Sequence, residues 1–343
     1  MHEYYMKRCL ELAQKGINHV APNPMVGSVI VYNNKIIGEG FHQKFGESHA
    51  EVNAIKSVKD KSLLSKSTLY VNLEPCAHTG KTPPCCELIS SYNIPKVFIG
   101  SIDLNSKVDG KGIAHLKQHG TDVKSGILKK ESDWLNRRFF TYHQKKRPYV
   151  ILKWAETKDG FIDKNRKNGE KGVNWISHPN TKIISHNWRA QEASILVGRK
   201  TVEIDNPSLT TREVEGENPV RIVFDPNLSL SNKYHIFNDE AKTLIFNYNK
   251  NENQNTNEFI KISKNNPIND ILSKLYQFEL NSVIIEGGAS TIQHFIDESA
   301  WDEARVIEGN IKFQEGIISP KLNRKKHSSL ELNTDTIKTY YND

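Results

Sequence analysis

The sequence predicts an α/β protein of two domains. Three observations carry this. The chain has 343 residues, and at roughly 100–200 residues per domain two separate cores are expected. Short apolar runs alternate with segments of helical periodicity through both halves, the rhythm of α/β folds. A basic, polar stretch around Lys145-Lys146-Arg147 separates the two series, so domains of 1–146 and 147–343 are expected.

The opening MHEYYMKRCLELAQKG reads as an amphipathic helix ending near Gly16, with Cys9 as a small buried residue. Met25–Tyr32 and Lys35–Phe41 read as a hairpin turning at Asn33-Asn34. Ala50–Val58 is a helix and Ser67–Leu73 a strand. Cys85–Tyr92 is a helix opened by Pro83-Pro84, since proline suits the first turn. Val97–Ser101, Gly112–His119 and Asp122–Ser125 continue as strand, helix and strand, and one helix then covers Leu128–Gln144. In the second half the clearest strands are Tyr149–Ala155, Ser194–Val197, Val220–Phe224, Thr243–Phe246 and Ser282–Glu286. Helices are expected over Asn180–Gln191, Ile268–Phe278 and Ser290–Ser299. Residues 247–257 place Asn at every second position, which predicts a loose surface loop.

Composition narrows the class. The chain is 37% hydrophobic and 25% charged, ordinary for a soluble globular protein. It has no run of about 18 apolar residues, so no membrane span is expected. The first residues lack the apolar core of a secretory signal, and the cytoplasm is the expected location. The net charge of +7 is spread thinly. The two densest clusters, Lys145-Lys146-Arg147 and Arg324-Lys325-Lys326, are expected to be solvated surface, and no nucleic-acid partner is expected.

Chemistry concentrates in the first half. His49-Ala50-Glu51 stands where a helix begins, Pro75-Cys76 follows a strand, and Cys85 opens another helix. Zinc takes nitrogen and sulfur ligands tetrahedrally, and a catalytic site uses three, leaving the fourth position for water. His49, Cys76 and Cys85 satisfy that count. Helix N-termini favour thiolates, and Cys85 is placed for this. Glu51 can reach the water without being a ligand and move its proton. The pattern is that of nucleobase deaminases, except that eight residues separate the cysteines here. A closed structural site would need a fourth ligand, which Cys86 or His78 could supply.

Around these residues stand Pro22-Asn23-Pro24-Met25-Val26-Gly27, Gly40-Phe41-His42, Gly46-Glu47-Ser48 and the inter-cysteine loop Ala77-His78-Thr79-Gly80-Lys81-Thr82-Pro83-Pro84. Together they resemble the deaminase half of the bifunctional riboflavin-biosynthesis deaminase/reductase family. The resemblance implies a cytidine-deaminase-like α/β/α sandwich. The implied reaction is zinc-dependent hydrolytic loss of the 2-amino group from 2,5-diamino-6-ribosylamino-4(3H)-pyrimidinone 5′-phosphate. By matched position Asn23, His42 and His78 would bind this substrate, with Lys81 and Thr82 at its ribose phosphate. Lysine and hydroxyl donors suit a phosphate chemically.

In the second half Lys153 stands at the end of an apolar strand, where it could pair with a buried carboxylate. Ile285-Glu286-Gly287-Gly288-Ala289-Ser290-Thr291 runs from strand through glycines into a helix. Such a turn lets backbone approach a phosphate at a helix N-terminus, although it is not the dinucleotide fingerprint. These segments resemble the reductase half of the same family, which has a dihydrofolate-reductase-like fold. The resemblance implies NADPH as hydride donor and conversion of the ribosyl group to ribityl. It places Ala155, Trp175, Thr201, Asp205, Gly287, Gly288, Ala289, Ser290 and Thr291 at NADPH. It places Arg189, Leu209, Arg212 and Glu286 at the substrate, with the two arginines as phosphate clamps. Lys153 and Glu286 would form the polar pair beside the sugar carbon that accepts hydride.

The chain departs from the family in places. Asp103-Leu104-Asn105-Ser106 lacks two usual prolines, which predicts a looser turn, and Val173 and Pro226 stand where serines are common. A deaminase whose second domain binds ligand without reducing it is the alternative these changes leave. A tRNA adenosine deaminase is more remote, because those enzymes keep two residues between the cysteines. Phosphorylated pyrimidines are the expected partners. A homodimer is compatible with the sequence, which carries no interface signature.

Overall fold

The computed structural model describes residues 1–78, 83–105, 108–166 and 169–342. It contains two compact units, Met1–Lys145 and Lys146–Asp343.

The first unit runs α1 (His2–Gln14), β1 (Gly27–Tyr32), β2 (Lys35–Phe41), α2 (Ala50–Ser57), β3 (Thr68–Leu73), α3 (Cys85–Ser91), β4 (Lys96–Ser101), α4 (Lys111–Gln118), β5 (Asp122–Ser125), α5 (Lys129–Leu135) and α6 (Arg137–Lys145). Its sheet has the order β2-β1-β3-β4-β5. The β1 strand is antiparallel to both neighbours, whereas β3, β4 and β5 are parallel. Alternation along each strand builds the layers. Ile30, Leu69, Val71, Val97 and Ile99 meet Ala54 and Ile55 of α2, Ile89 of α3 and Leu116 of α4. Val29, Val31, Tyr70 and Phe98 point the other way, onto Tyr5, Met6, Cys9 and Leu12 of α1. The result is an α/β/α sandwich, with Cys9 buried as its composition suggests.

The second unit adds β6 (Tyr149–Thr157), β7 (Phe161–Asp163), α7 (Pro179–Gln191), β8 (Ser194–Gly198), α8 (Arg199–Asp205), β9 (Val220–Phe224), β10 (Thr243–Asn247), β11 (Glu252–Gln254), β12 (Asn257–Lys261), α9 (Pro267–Gln277), β13 (Ser282–Ile285), α10 (Ala289–Asp297), β14 (Glu303–Gly309), β15 (Ile317–Ile318), β16 (Ser328–Leu332) and β17 (Asp335–Tyr341). Ten strands form one sheet, β11-β12-β10-β9-β8-β13-β6-β14-β17-β16, parallel from β12 to β14. One face packs on α9 and α10 through Ile271, Leu275, Ile292 and Phe295. The other carries Ile151, Ile195, Val223 and Ile284 against Val202 of α8 and Trp188 of α7. Parallel strands buried on both faces read as continuous apolar runs, as Val283-Ile284-Ile285 does.

Three expectations need correction. The helix over Leu128–Gln144 divides at Asn136, because that side chain accepts the Met25 N–H at 2.8 Å and donates to the Met25 carbonyl at 2.9 Å. Residues 247–257 are not a loose loop. Asn247 is buried, its amide donates to the carbonyls of Lys250 and Ile260, and it accepts from two backbone N–H groups, while Glu252–Gln254 pairs with β12 as an edge strand. Arg147 is not solvated surface. Its guanidinium meets both carboxylate oxygens of Asp302 at 2.6 and 2.8 Å, and Asp302 also takes the Val150 N–H, which fixes the start of β6. Arg324-Lys325-Lys326 is exposed, as its composition implies.

Candidate active sites

In the first unit the parallel strands β3 and β4 end side by side, with Leu73 opposite Ser101. The segments that leave the two strands therefore share one edge of the sheet. Glu74 anchors this edge. Its buried carboxylate accepts the N–H groups of Asp103, Gly110 and Ile113 at 3.1–3.2 Å, tying the end of β3 to the start of α4. Helix and strand end approach so closely that a Cβ on Gly112 would lie 2.1 Å from the Pro75 carbonyl oxygen. Cys76 is held just beyond, its carbonyl taking the Cys86 N–H.

His49 is the N-cap of α2 and Cys85 the first residue of α3. His49 Nδ1 lies 3.5 Å from Cys76 Sγ and 3.4 Å from Cys85 Sγ, and all three ligand atoms fall within 4.8 Å of one another. Tetrahedral zinc with ordinary Zn–N and Zn–S bonds requires N···S separations of about 3.6 Å, so the group fits zinc. Among the described residues this is the one such cluster, and it has three members. Cys86 does not complete it, because it packs in the core beside Ile89 and Ala54. Three ligands leave the open position of a catalytic site. The first amide of α3 serves Cys76 rather than Cys85: the Cys85 N–H donates to Cys76 Sγ at 3.3 Å. Hydrogen bonding from Cys85, helped by His49, holds the Cys76 thiol well below its ordinary value.

Glu51, in the first turn of α2, is 3% exposed. Burial raises its carboxyl to about 7, and the charge of Cys76 adds to this. Before it opens a cavity of about 280 Å³ walled by Asn23, His42, His78, Asp103, Asn105 and Phe139. His42 is fixed in one tautomer. Nδ1 faces the Ser48 carbonyl at 3.2 Å and must donate, so Nε2 accepts the Asn23 amide at 3.1 Å. Burial lowers the His42 pKa and keeps the ring neutral. Asn23 thereby keeps its oxygen for a ligand. His78 carries a buried Nδ1 with no partner among the described residues. Lys81 and Thr82 lie outside the described residues.

Asp103 and Asn105 were not among the residues expected at the site. Asp103 is buried, its carboxyl is raised to about 7 by burial, and it accepts the Asn105 N–H at 2.8 Å. The turn is thus held as far as Asn105 without the prolines; Ser106 lies outside the described residues. The signal was available in principle. Two neighbouring parallel strands end together, so the residues after β4 belong to whatever site the residues after β3 form.

In the second unit the register of β13 on β6 pairs Leu152 with Ile285 and so sets Lys153 beside Glu286. Lys153 Nζ is 3.8 Å from Glu286 Oε2. Arg189, from α7, reaches the same carboxylate through Nε at 3.0 Å and Nη2 at 2.6 Å. It is not left as a free fork for phosphate. Burial alone would raise Glu286, but Arg189 and Lys153 outweigh it and hold the carboxylate down at about 2. Burial pushes Lys153 below its ordinary value. Arg212 is the more available arginine, with its guanidinium donating to Thr210 Oγ1 at 2.8 Å. Leu209 is 3% exposed and packs in the core.

The glycine turn is built by close approach. A Cβ on Gly287 would lie 2.5 Å from Val197 Cα, and Gly288, the N-cap of α10, has φ of +62°. A Cβ on Gly198 would meet Thr291 Oγ1, and one on Gly288 would touch Thr201 Oγ1. Gly287, Gly288, Thr201 and Thr291 are therefore brought together, with Ala289 and Ser290 opening the helix. A cavity of about 310 Å³ adjoins them, with Leu196, Phe224, Ile268, Ile271 and Phe295 on its apolar walls and Asn265, Asn266, Thr291, His294, Asp297 and Glu298 on its polar ones. Asp205 ends α8; burial raises its carboxyl to about 6 against the pull of Arg166. Ala155 is half-buried on β6, and Trp175 is 61% exposed with Lys182 over its ring.

Fold and first site together define a class: a zinc-dependent deaminase of the cytidine deaminase kind, followed by a second catalytic α/β unit. Family models agree. Residues 1–101 match the cytidine and deoxycytidylate deaminase zinc-binding region, and residues 148–310 match the RibD C-terminal domain. The chain is 37% identical over 311 residues to the riboflavin biosynthesis protein RibD of Aquifex aeolicus, covering 88% of this chain and 85% of that protein. It is 40% identical over 298 residues to RibD of Actinobacillus pleuropneumoniae, covering 83% and 77%. A solved Thermotoga maritima structure, a diaminohydroxyphosphoribosylaminopyrimidine deaminase/5-amino-6-(5-phosphoribosylamino)uracil reductase, superposes with a TM-score of 0.89 at 36% identity, covering 99% of this chain and 98% of that one. The chain belongs to the RibD family of bifunctional riboflavin-biosynthesis enzymes, with a zinc-binding deaminase unit and an NADPH-using reductase unit.

Proposed function

We propose that the first unit deaminates 2,5-diamino-6-ribosylamino-4(3H)-pyrimidinone 5′-phosphate and that the second reduces the ribosyl group of the product to ribityl. The observation that carries the first step is the three-ligand cluster with buried Glu51 beside it. Zinc, when bound, supplies an acidified water as nucleophile. Glu51, whose affinity for a proton is raised by burial, would take one proton of the water to the ring nitrogen and then carry the remaining hydroxyl proton to the departing amine, which leaves as ammonia. Asn23 and His42 orient the pyrimidine, and the His78 Nδ1, which has no partner among the described residues, offers a further contact. Lys81 and Thr82 are assigned to the phosphate by family position.

NADPH, when bound, supplies the hydride. The turn Gly287–Thr291 leaves backbone N–H groups at the start of α10 for its diphosphate, and the cavity beside Thr291, with apolar walls for a ring face and polar ones for its edge, is assigned to its adenine. Trp175, Thr201, Asp205 and Ala155 are assigned to the same cofactor. Lys153 and Glu286 stand as the polar pair at the sugar carbon, Arg212 takes the substrate phosphate, and Leu209 borders it. Arg189 supports Glu286 and is not assigned to phosphate.

The cytoplasm is the proposed location. No helix among the described residues is long and apolar enough to cross a membrane. No nucleic-acid partner is proposed, because the net charge of +7 is spread thinly along the sequence. A homodimer is supported by the open edge of β16, where Leu330 is 58% exposed, and light scattering tests it. The decisive test of function is Glu51→Gln. Ammonia release should fall by about 10²–10⁴-fold with zinc still bound, and NADPH oxidation on the deaminated substrate should continue. Ammonia release at the wild-type rate would refute the role of Glu51.

A further inference from the structure

Helix α7 places the polar side chains of His186 and Arg189 one turn apart. Arg189 holds Glu286. His186, three residues earlier and so on the same face, is 2% exposed and has no part in the chemistry above. Its Nδ1 accepts the backbone N–H of Arg212 at 3.2 Å. A ring nitrogen that accepts an N–H carries no proton, so the neutral ring is protonated at Nε2. Burial, together with the nearby charges of Arg189, Arg212 and Lys182 and against the opposing Glu213, pushes this histidine down to about 4. The acceptor is therefore present throughout the neutral range.

The amide it holds belongs to the arm 209–212. Leu209 anchors the start of the arm in the core, in a left-handed conformation with φ of 54°. The Thr211 N–H is taken by Asn218 Oδ1 at 2.8 Å. Arg212 is the next residue, and its amide is the one that turns to α7. If His186 loses its acceptor, a backbone donor in a part-buried setting has no partner, and such a group moves toward water at the expense of local geometry.

We propose that His186 is a positioning residue for the reductase reaction. Its Nδ1 fixes the Arg212 backbone to α7, the helix whose Arg189 also fixes Glu286. One rigid helix thus sets the span between the guanidinium at the substrate phosphate and the carboxylate at the sugar carbon. The device selects a phosphate-terminated pentosyl chain of that span. This rests on the reading of Arg212 as the phosphate contact.

The test compares His186→Asn, His186→Gln and His186→Leu in the full-length zinc-loaded enzyme. The Oδ1 of asparagine reproduces the position of Nδ1, whereas glutamine reaches one bond too far. His186→Gln and His186→Leu should raise the reductase KM for the phosphorylated substrate about tenfold with kcat within about twofold, and His186→Asn should stay within about threefold of wild type. On the same substrate without its phosphate, all four proteins should share one KM. An unchanged KM in His186→Gln, an equal rise on the dephosphorylated substrate, or no recovery by His186→Asn would overturn the proposal. If His186→Leu does not fold, the asparagine and glutamine pair decides. Arg212→Ala separates the two readings. If that variant does not reduce discrimination between the two substrates, the phosphate assignment fails; if it does and His186→Gln does not, the positioning role fails.

Discussion

Arg189 and Glu286 form a two-pronged ion pair, with guanidinium Nε and Nη2 on the two carboxylate oxygens at 3.0 and 2.6 Å, and with side chains only 14% and 7% exposed. A pair this buried contributes little net stability while intact, but removing Arg189 leaves Glu286 only the 3.8 Å contact with Lys153, at a cost of up to about 3–5 kcal/mol. Arg189→Leu should therefore destabilise the protein by about that amount and raise the proton affinity of Glu286. Arg189→Lys keeps the charge without the fork and should lose less. Urea unfolding of the three proteins measures the order, and equal stabilities would contradict it.

The glycine turn makes a second prediction. At Gly288 the backbone, with φ of 62° and ψ of 137°, costs a non-glycine residue about 1–3 kcal/mol, and the turn must stay in place for its amides to face a diphosphate. Gly288→Ala should raise the KM for NADPH and leave ammonia release unchanged. Gly287→Ala should be the more severe change, since its Cβ would lie 2.5 Å from Val197 Cα, a backbone atom that cannot yield. A KM for NADPH unchanged in both variants would remove the turn from the cofactor site.

Metal removal separates the two units. His49, Cys76 and Cys85 all belong to Met1–Lys145, while Lys153, Arg189 and Glu286 belong to the other unit. Chelation should abolish ammonia release and leave NADPH oxidation on the deaminated substrate intact; added zinc should restore the first. Parallel loss of both activities would show that the metal supports more than the deaminase.

The zinc group was legible because its chemistry fixes residue types: only a few side chains bind zinc, and the helix starts at His49 and Cys85 are marked by proline and apolar pattern. Lys153 and Glu286 were legible as strand ends, although their adjacency needed the register of β13 on β6. The pairing of Arg189 with Glu286 was not legible, because sequence shows an arginine on a helix but not which carboxylate that helix faces. Asp103 and Asn105 escaped for a related reason. Their place in the cavity comes from the pairing of β4 with β3, a contact between residues far apart in the chain. Asn136 and Asn247 show the same limit in the fold. A buried asparagine that satisfies distant backbone groups ends a helix or shapes a turn, and no local pattern announces it.

His186 makes stability depend on pH with a definite sign. In the unfolded chain a histidine titrates near its ordinary value of 6.5; folded, this one is held down to about 4 by burial and by the neighbouring Arg189, Arg212 and Lys182, with Glu213 opposing. Between those values the unfolded chain binds more protons than the folded one, so stability rises with pH. The contribution is complete above about 6.5 and is lost as pH falls toward about 4. His186→Asn keeps an acceptor for the Arg212 amide but cannot titrate. Its melting temperature relative to wild type should therefore be lowest above pH 6.5 and should gain on wild type as the solution is acidified. The zinc ligands titrate in both proteins alike, so the difference between the two melting curves, rather than either curve alone, isolates the histidine. A difference that stays constant from neutral pH down to the lower value would mean that the ring is already free to take up a proton in the folded chain, and that the Arg212 amide is not its fixed partner.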